Sequence, residues 1–121
     1  MIDRLAQVSI AVRDLPRAIV FYRDVVGLKH LFDAGTMSFF DCGGVRVLVG
    51  VGELAPHHAG SMLYFNTDDI GAEVGRLREH GATIELEPMR IAQLADRDVW
   101  MARFLDPDEN TIALMSEVKH A

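Results

Sequence analysis

The chain has 121 residues, half of them hydrophobic, with 12 Lys and Arg against 18 Asp and Glu and a formal net charge of −6. The length suits one domain with its own core, the apolar residues form no run near the roughly 18 that a membrane helix needs, and the acidic balance argues against nonspecific nucleic-acid binding, which relies on Lys and Arg at phosphates. Cys42 is the only cysteine, which excludes an intrachain disulfide and points to a reducing cytoplasm.

The start, Met1-Ile2-Asp3-Arg4-Leu5, has no basic stretch leading into an apolar one, so no secretion signal is expected. Val8 to Val12 then alternates like a strand, and Asp14 follows as a helix cap whose carboxylate can accept from free backbone N–H groups. Pro16 fits the first helical turn. Leu15, Ala18, Ile19, Tyr22 and Val26 share one helical face, and Gly27 closes the helix where a left-handed cap is cheapest. Strands are expected over Leu28 to Asp33, Thr36 to Asp41 and Val45 to Val51, with turns at Ala34-Gly35 and Gly43-Gly44.

The pattern then repeats. Leu63 to Thr67 alternates, Asp69 stands 55 positions after Asp14 as a second cap, and Ile70, Val74 and Leu77 form a helical face closed by Gly81. Strands are expected over Thr83 to Ile91, Val99 to Leu105 and Thr111 to Glu117, with turns at Ala95 to Asp98 and Asp106 to Asn110. The order is βαβββ twice, an α+β fold. Module one covers about residues 1–52, a linker 53–60, and module two about 61–121, read together as a single domain because each unit alone would expose an apolar sheet face.

Two motifs give this pattern a family likeness. Val12-Arg13-Asp14-Leu15-Pro16-Arg17-Ala18-Ile19-Val20-Phe21-Tyr22-Arg23-Asp24-Val25-Val26-Gly27-Leu28 resembles the V-x-D-L-x-x-A-x-x-F-Y-x-x-x-L-G-L opening of the glyoxalase/bleomycin-resistance/dioxygenase (vicinal oxygen chelate) superfamily. Phe104-Leu105-Asp106-Pro107-Asp108-Glu109-Asn110-Thr111-Ile112-Ala113-Leu114 is similar to its F-x-D-P-D-G-N-x-I-x-L ending, with Glu109 in place of the glycine. The resemblance implies curled mixed sheets that form a cupped cavity, closed within one chain or across two, and a homodimer. It also implies metal ligands at the positions of Gln7, Leu48, Met62 and Ala113. Leu and Ala have no donor, a Met thioether suits only soft metals, and one Gln amide cannot hold a divalent ion. No metal or other cofactor is therefore expected.

Strand alternation assigns the cavity lining. Val8, Ile10 and Val12 should pack under the helices, leaving Gln7 and Ser9 for the cavity. Arg46 and Leu48 join them from the fourth strand by resemblance, with Met62, Tyr64 and Asn66 from the fifth and Ala113 and Met115 from the last. Trp100, Ala102 and Phe104 are further expected lining, Trp100 being able to stack on a planar ligand. Arg46 or Arg103 could hold a ligand carboxylate. No catalytic residue emerges. Ser9 and Ser61 have no evident triad partners, and Asp41 beside Cys42 works against a reactive thiol. His57 and His58 read as solvated linker residues, His30 and His80 as structural, and His120 as a mobile tail residue. The expected function is metal-free binding of a small, partly aromatic molecule. The alternative is a metal-dependent lyase, isomerase or dioxygenase, which needs ligands that are missing here.

Overall fold

A computed structural model describes residues 1, 4–51 and 62–121. The chain divides into two compact units, Met1–Ala59 and Gly60–Ala121. His57, His58 and Ser61 lie outside the described residues. No helix among the described residues is long and apolar enough to cross a membrane.

The first unit runs β1 (Gln7–Val12), α1 (Leu15–Val20), β2 (Lys29–Ala34), β3 (Met37–Cys42) and β4 (Val45–Val51). The second runs β5 (Tyr64–Asn66), α2 (Ile70–Glu79), β6 (Thr83–Gln93), β7 (Arg97–Leu105) and β8 (Thr111–Lys119). The sheets have equivalent strand orders, β1-β4-β3-β2 and β5-β8-β7-β6. In each, the first strand pairs in parallel with the last and the remaining pairs are antiparallel. The duplicated βαβββ unit read from the sequence is thus present as two four-stranded mixed sheets.

The same local chemistry starts both helices. Asp14 Oδ1 accepts from the Arg17 N–H at 3.1 Å, and Asp69 Oδ1 accepts from the Ala72 N–H at 3.0 Å. Gly27 and Gly81 follow at φ 90° and 92°, where a side chain would be strained. The first helix does not continue regularly to Val26. After Val20 it widens into a π-helical turn over Phe21–Val25, with Val26 N–H donating to the Phe21 carbonyl at 2.9 Å. The wider turn brings consecutive side chains closer in direction, so Phe21 and Tyr22 are both buried, edge to face at 5.3 Å between ring centroids.

Each core lies between helix and sheet. Tyr22 meets Phe40 of β3, and Val47 and Val49 of β4 are buried on that same face. In the second unit Ile70, Val74 and Leu77 of α2 are buried, as are Ala102, Phe104, Ile112 and Leu114 of the sheet. Strands β7 and β8 run past their expected ends because the ladder continues through Asp98↔Val118 and Arg97↔Lys119. The β6–β7 hairpin closes at Leu94, whose N–H donates to the Arg97 carbonyl at 2.8 Å.

Candidate functional site

Residues paired across a ladder project from the same side of the sheet. In the first unit the side turned away from α1 carries three rows: Gln7, Arg46, Asp41 and Lys29; Ser9, Leu48, Phe39 and Phe32; and Ala11, Gly50, Met37 and Ala34. The register therefore brings Gln7, Ser9, Arg46 and Leu48 onto one surface, beside two aromatic residues that the sequence reading did not include.

Those residues form a cluster. Arg46 Nε donates to Gln7 Oε1 at 2.9 Å. The guanidinium carbon stands 5.4 Å from the Phe39 ring centroid and 5.9 Å from that of Phe32, within cation–π range. The rings stack on each other at 4.4 Å with 19° between planes. A bulge between His30 and Phe32 sets the stack, putting Phe32 opposite Phe39. Phe39 and Leu48 are buried, whereas Phe32 is 45% exposed and Gln7, Ser9 and Arg46 are exposed. Among the described residues, no carboxylate lies within ion-pair distance of Arg46. Its cross-strand neighbour Asp41 accepts instead from the Gly44 N–H at 3.3 Å.

In the second unit, the side turned away from α2 carries a row of Tyr64, Ala113, Arg103 and Leu86 and a row of Asn66, Met115, Met101 and Met89. Tyr64 is 48% exposed, Asn66 is exposed, and Ala113 is fully covered. Met62 precedes β5 and is 38% exposed. The methionine row is a soft, adaptable apolar strip that alternation along single strands does not show. Arg103 is neutralised by Glu85 at 3.2 Å, and Glu85 also accepts from Thr111 Oγ1. Of the two arginines expected to be able to take a carboxylate, Arg46 has no such counter-ion among the described residues.

Trp100 is a correction. It pairs with Ser116 and shares the helix side of its sheet with Ala102, Phe104, Ile112 and Leu114. It therefore does not line the surface of Tyr64 and Ala113. It borders instead a groove of about 420 Å³ at the start of α2, with Asp68, Ile70, Pro88 and Val118. Its strand carries large apolar residues on both faces, so alternation alone does not say which face meets the helix.

Three other candidates resolve. His30 Nε2 lies 2.7 Å from Asp33 Oδ1 and 3.0 Å from Ser38 Oγ, and Ser38 donates to Asp33 at 2.6 Å. Asp33 and Ser38 share one ring nitrogen and Ser38 is buried, so this is a packing network and not a proton relay. Burial, and then Asp41, push the Cys42 thiol up, which weakens it as a nucleophile. His120 is fixed, not a free tail residue, because Nε2 meets Asp98 Oδ1 at 3.0 Å and its N–H donates to the Asp96 carbonyl at 2.8 Å.

A metal of the kind that the resemblance implies does not fit these residues. Gln7 is the one oxygen donor among its four positions, and that oxygen already accepts from a guanidinium. A divalent ion there would face a fixed positive charge, and Leu48, two residues on from Arg46 in β4, offers no donor. Among the described residues, no group of three or more His, Cys, Asp or Glu could hold a metal ion.

A family model described as the Glyoxalase/Bleomycin resistance protein/Dioxygenase superfamily matches residues 4–114. Uncharacterized protein YraH of Bacillus subtilis is 26% identical, over 92% of this chain and 96% of its own length. The lactoylglutathione lyase of Agrobacterium tumefaciens has a similar structure, with TM-score 0.76 and 21% identity, covering 96% of this chain and 95% of that one. A superfamily member from Sphaerobacter thermophilus aligns with TM-score 0.77 and 24% identity, covering 96% and 98%. Structural likeness at these identities concerns the fold.

Proposed function

Because the chain belongs to the glyoxalase/bleomycin resistance protein/dioxygenase superfamily, we propose that it keeps the scaffold for small-molecule binding without metal chemistry. Its ligand is a small, partly aromatic molecule held on the sheet faces turned away from the helices. Gln7, Ser9, Arg46 and Leu48 serve on the first sheet, and Met62, Tyr64, Asn66, Ala113 and Met115 on the second. The observation that carries this reading is the Gln7–Arg46 hydrogen bond, which commits the one oxygen-bearing metal position to a guanidinium. An apolar strip with a few polar groups beside it is the usual make-up of a ligand surface. The protein is expected to work as a cytoplasmic homodimer.

The test is a thermal-shift screen of planar aromatic compounds on chelator-treated protein, with elemental analysis of tag-free material. The proposal predicts that some compounds raise the melting temperature without added metal. A stoichiometric retained metal, or stabilisation that appears only when metal is restored, contradicts it.

A further inference from the structure

Resting on that reading, we infer that Arg46 is an anion-recognition site and that the ligand is a carboxylate on a flat apolar body. The guanidinium has five N–H donors in a fixed plane. Gln7 takes the one on Nε. The remaining Nη groups form the end-on fork that matches a carboxylate by two parallel hydrogen bonds. The Phe32–Phe39 stack lies under the guanidinium and limits how its plane can turn. Gln7 is a positioning residue: it holds the fork from one edge without adding charge.

The surroundings specify the rest of the ligand. Leu48, Phe39 and Phe32 form an apolar row next to the cation, with much of Phe32 open to solvent. Leu48 and Phe39 are already buried, so the surface left to cover is the open part of Phe32: a bare inorganic anion would leave it exposed, whereas an aromatic carboxylate covers it while its charged end meets Arg46. The net charge of −6 opposes an anion at long range, but screening at physiological salt limits that repulsion to about 8 Å. At contact the guanidinium dominates, because no carboxylate among the described residues neutralises it.

The experiment compares two probes of nearly equal shape, 2-naphthoate and 2-naphthamide, by calorimetric titration. The wild-type protein should bind the carboxylate at least about tenfold more tightly, as for a charged hydrogen-bonded pair. Arg46→Met should bring the two affinities together by weakening naphthoate alone, and Arg46→Lys should restore only part of the preference, since an ammonium lacks the planar fork. Equal binding of both probes to wild type contradicts anion recognition and leaves metal-free aromatic binding standing. A tenfold preference that persists in folded Arg46→Met overturns the assignment to Arg46. Binding of neither probe contradicts the inference, and the reading it rests on falls only if the planar-compound screen also fails.

Discussion

Arg46 and Gln7 sit side by side on adjacent parallel strands, joined by a 2.9 Å hydrogen bond from Nε to Oε1. The pairing follows from register alone: β1 and β4 run parallel with Gln7 opposite Arg46 and Ser9 opposite Leu48. It brings a fixed organic cation to one of the positions where the family resemblance places a metal ligand.

Gln7→Glu separates the two readings sharply. If Arg46 is the anion site, the new carboxylate pairs with the guanidinium and competes with the ligand. Naphthoate affinity should then fall at least about tenfold, roughly 1.4 kcal/mol, while naphthamide affinity holds. If the surface is a metal site, the same change adds a hard oxygen donor and should raise divalent-ion affinity. Titration with each probe and with Mn²⁺ distinguishes these outcomes.

Salt offers an independent check. The charged part of the interaction is exposed, so it should weaken as the Debye length shrinks from about 10 Å at 0.1 M to about 3 Å at 1 M salt. Naphthoate affinity should drop severalfold across that range, with naphthamide unchanged or slightly tighter. Parallel behaviour of the two probes would show that charge plays no part in binding.

Glu109 lies at φ 65°, the only non-glycine residue at positive φ among the described residues, where the family motif has glycine. The turn is held regardless by Asp106, whose carboxylate accepts from the Asp108 and Asn110 N–H groups at 2.9 and 2.8 Å and from Asn110 Nδ2 at 2.8 Å. The left-handed region costs a non-glycine residue about 1–2 kcal/mol, partly offset by the extra unfolded-state freedom of glycine. Glu109→Gly should therefore stabilise the fold by about 0.5–1 kcal/mol in urea denaturation, and a loss of stability would contradict this account.

The carboxyls of Asp33 and Asp98 lie below their ordinary value of 3.8. The first is held down by the Ser38 hydroxyl and then by His30, the second chiefly by its hydrogen bond to His120. A carboxyl whose folded pKa is depressed contributes stability above its unfolded pKa and loses it as pH falls through the folded one. The urea midpoint should hold from neutral pH down to about 5 and decline below about 4. Asp33→Asn should shallow that decline, and a midpoint that rises on acidification would contradict the assignment.

Much of the fold was legible because its signals are local. Asp14 and Asp69, Gly27 and Gly81, and the alternation that buries Ile10 and Val12 each carry their own physical reason, and the structure has them in those roles. What stayed hidden depends on register. The Phe32–Phe39 stack arises from a bulge, the methionine row spans three strands, and Arg103 is neutralised by Glu85 on a neighbouring strand. The side of Trp100 is hidden for a related reason: its strand has large apolar residues on both faces, and the ladder partner, here Ser116, sets the side. The π-helical turn was hidden because Phe21 and Tyr22 both satisfy an apolar helix face, and only packing decides that both are buried.

On the proposed reading, Arg46 supplies positive charge beside a position where the resemblance implies a metal ligand. The most direct test is calorimetric titration of 2-naphthoate into chelator-treated protein, repeated with added Mg²⁺, Mn²⁺, Ni²⁺ or Zn²⁺. Measurable binding in chelator is expected, with an affinity that changes less than about twofold with any metal, a difference under roughly 0.5 kcal/mol. Binding that vanishes in chelator and returns with one of these ions would contradict it.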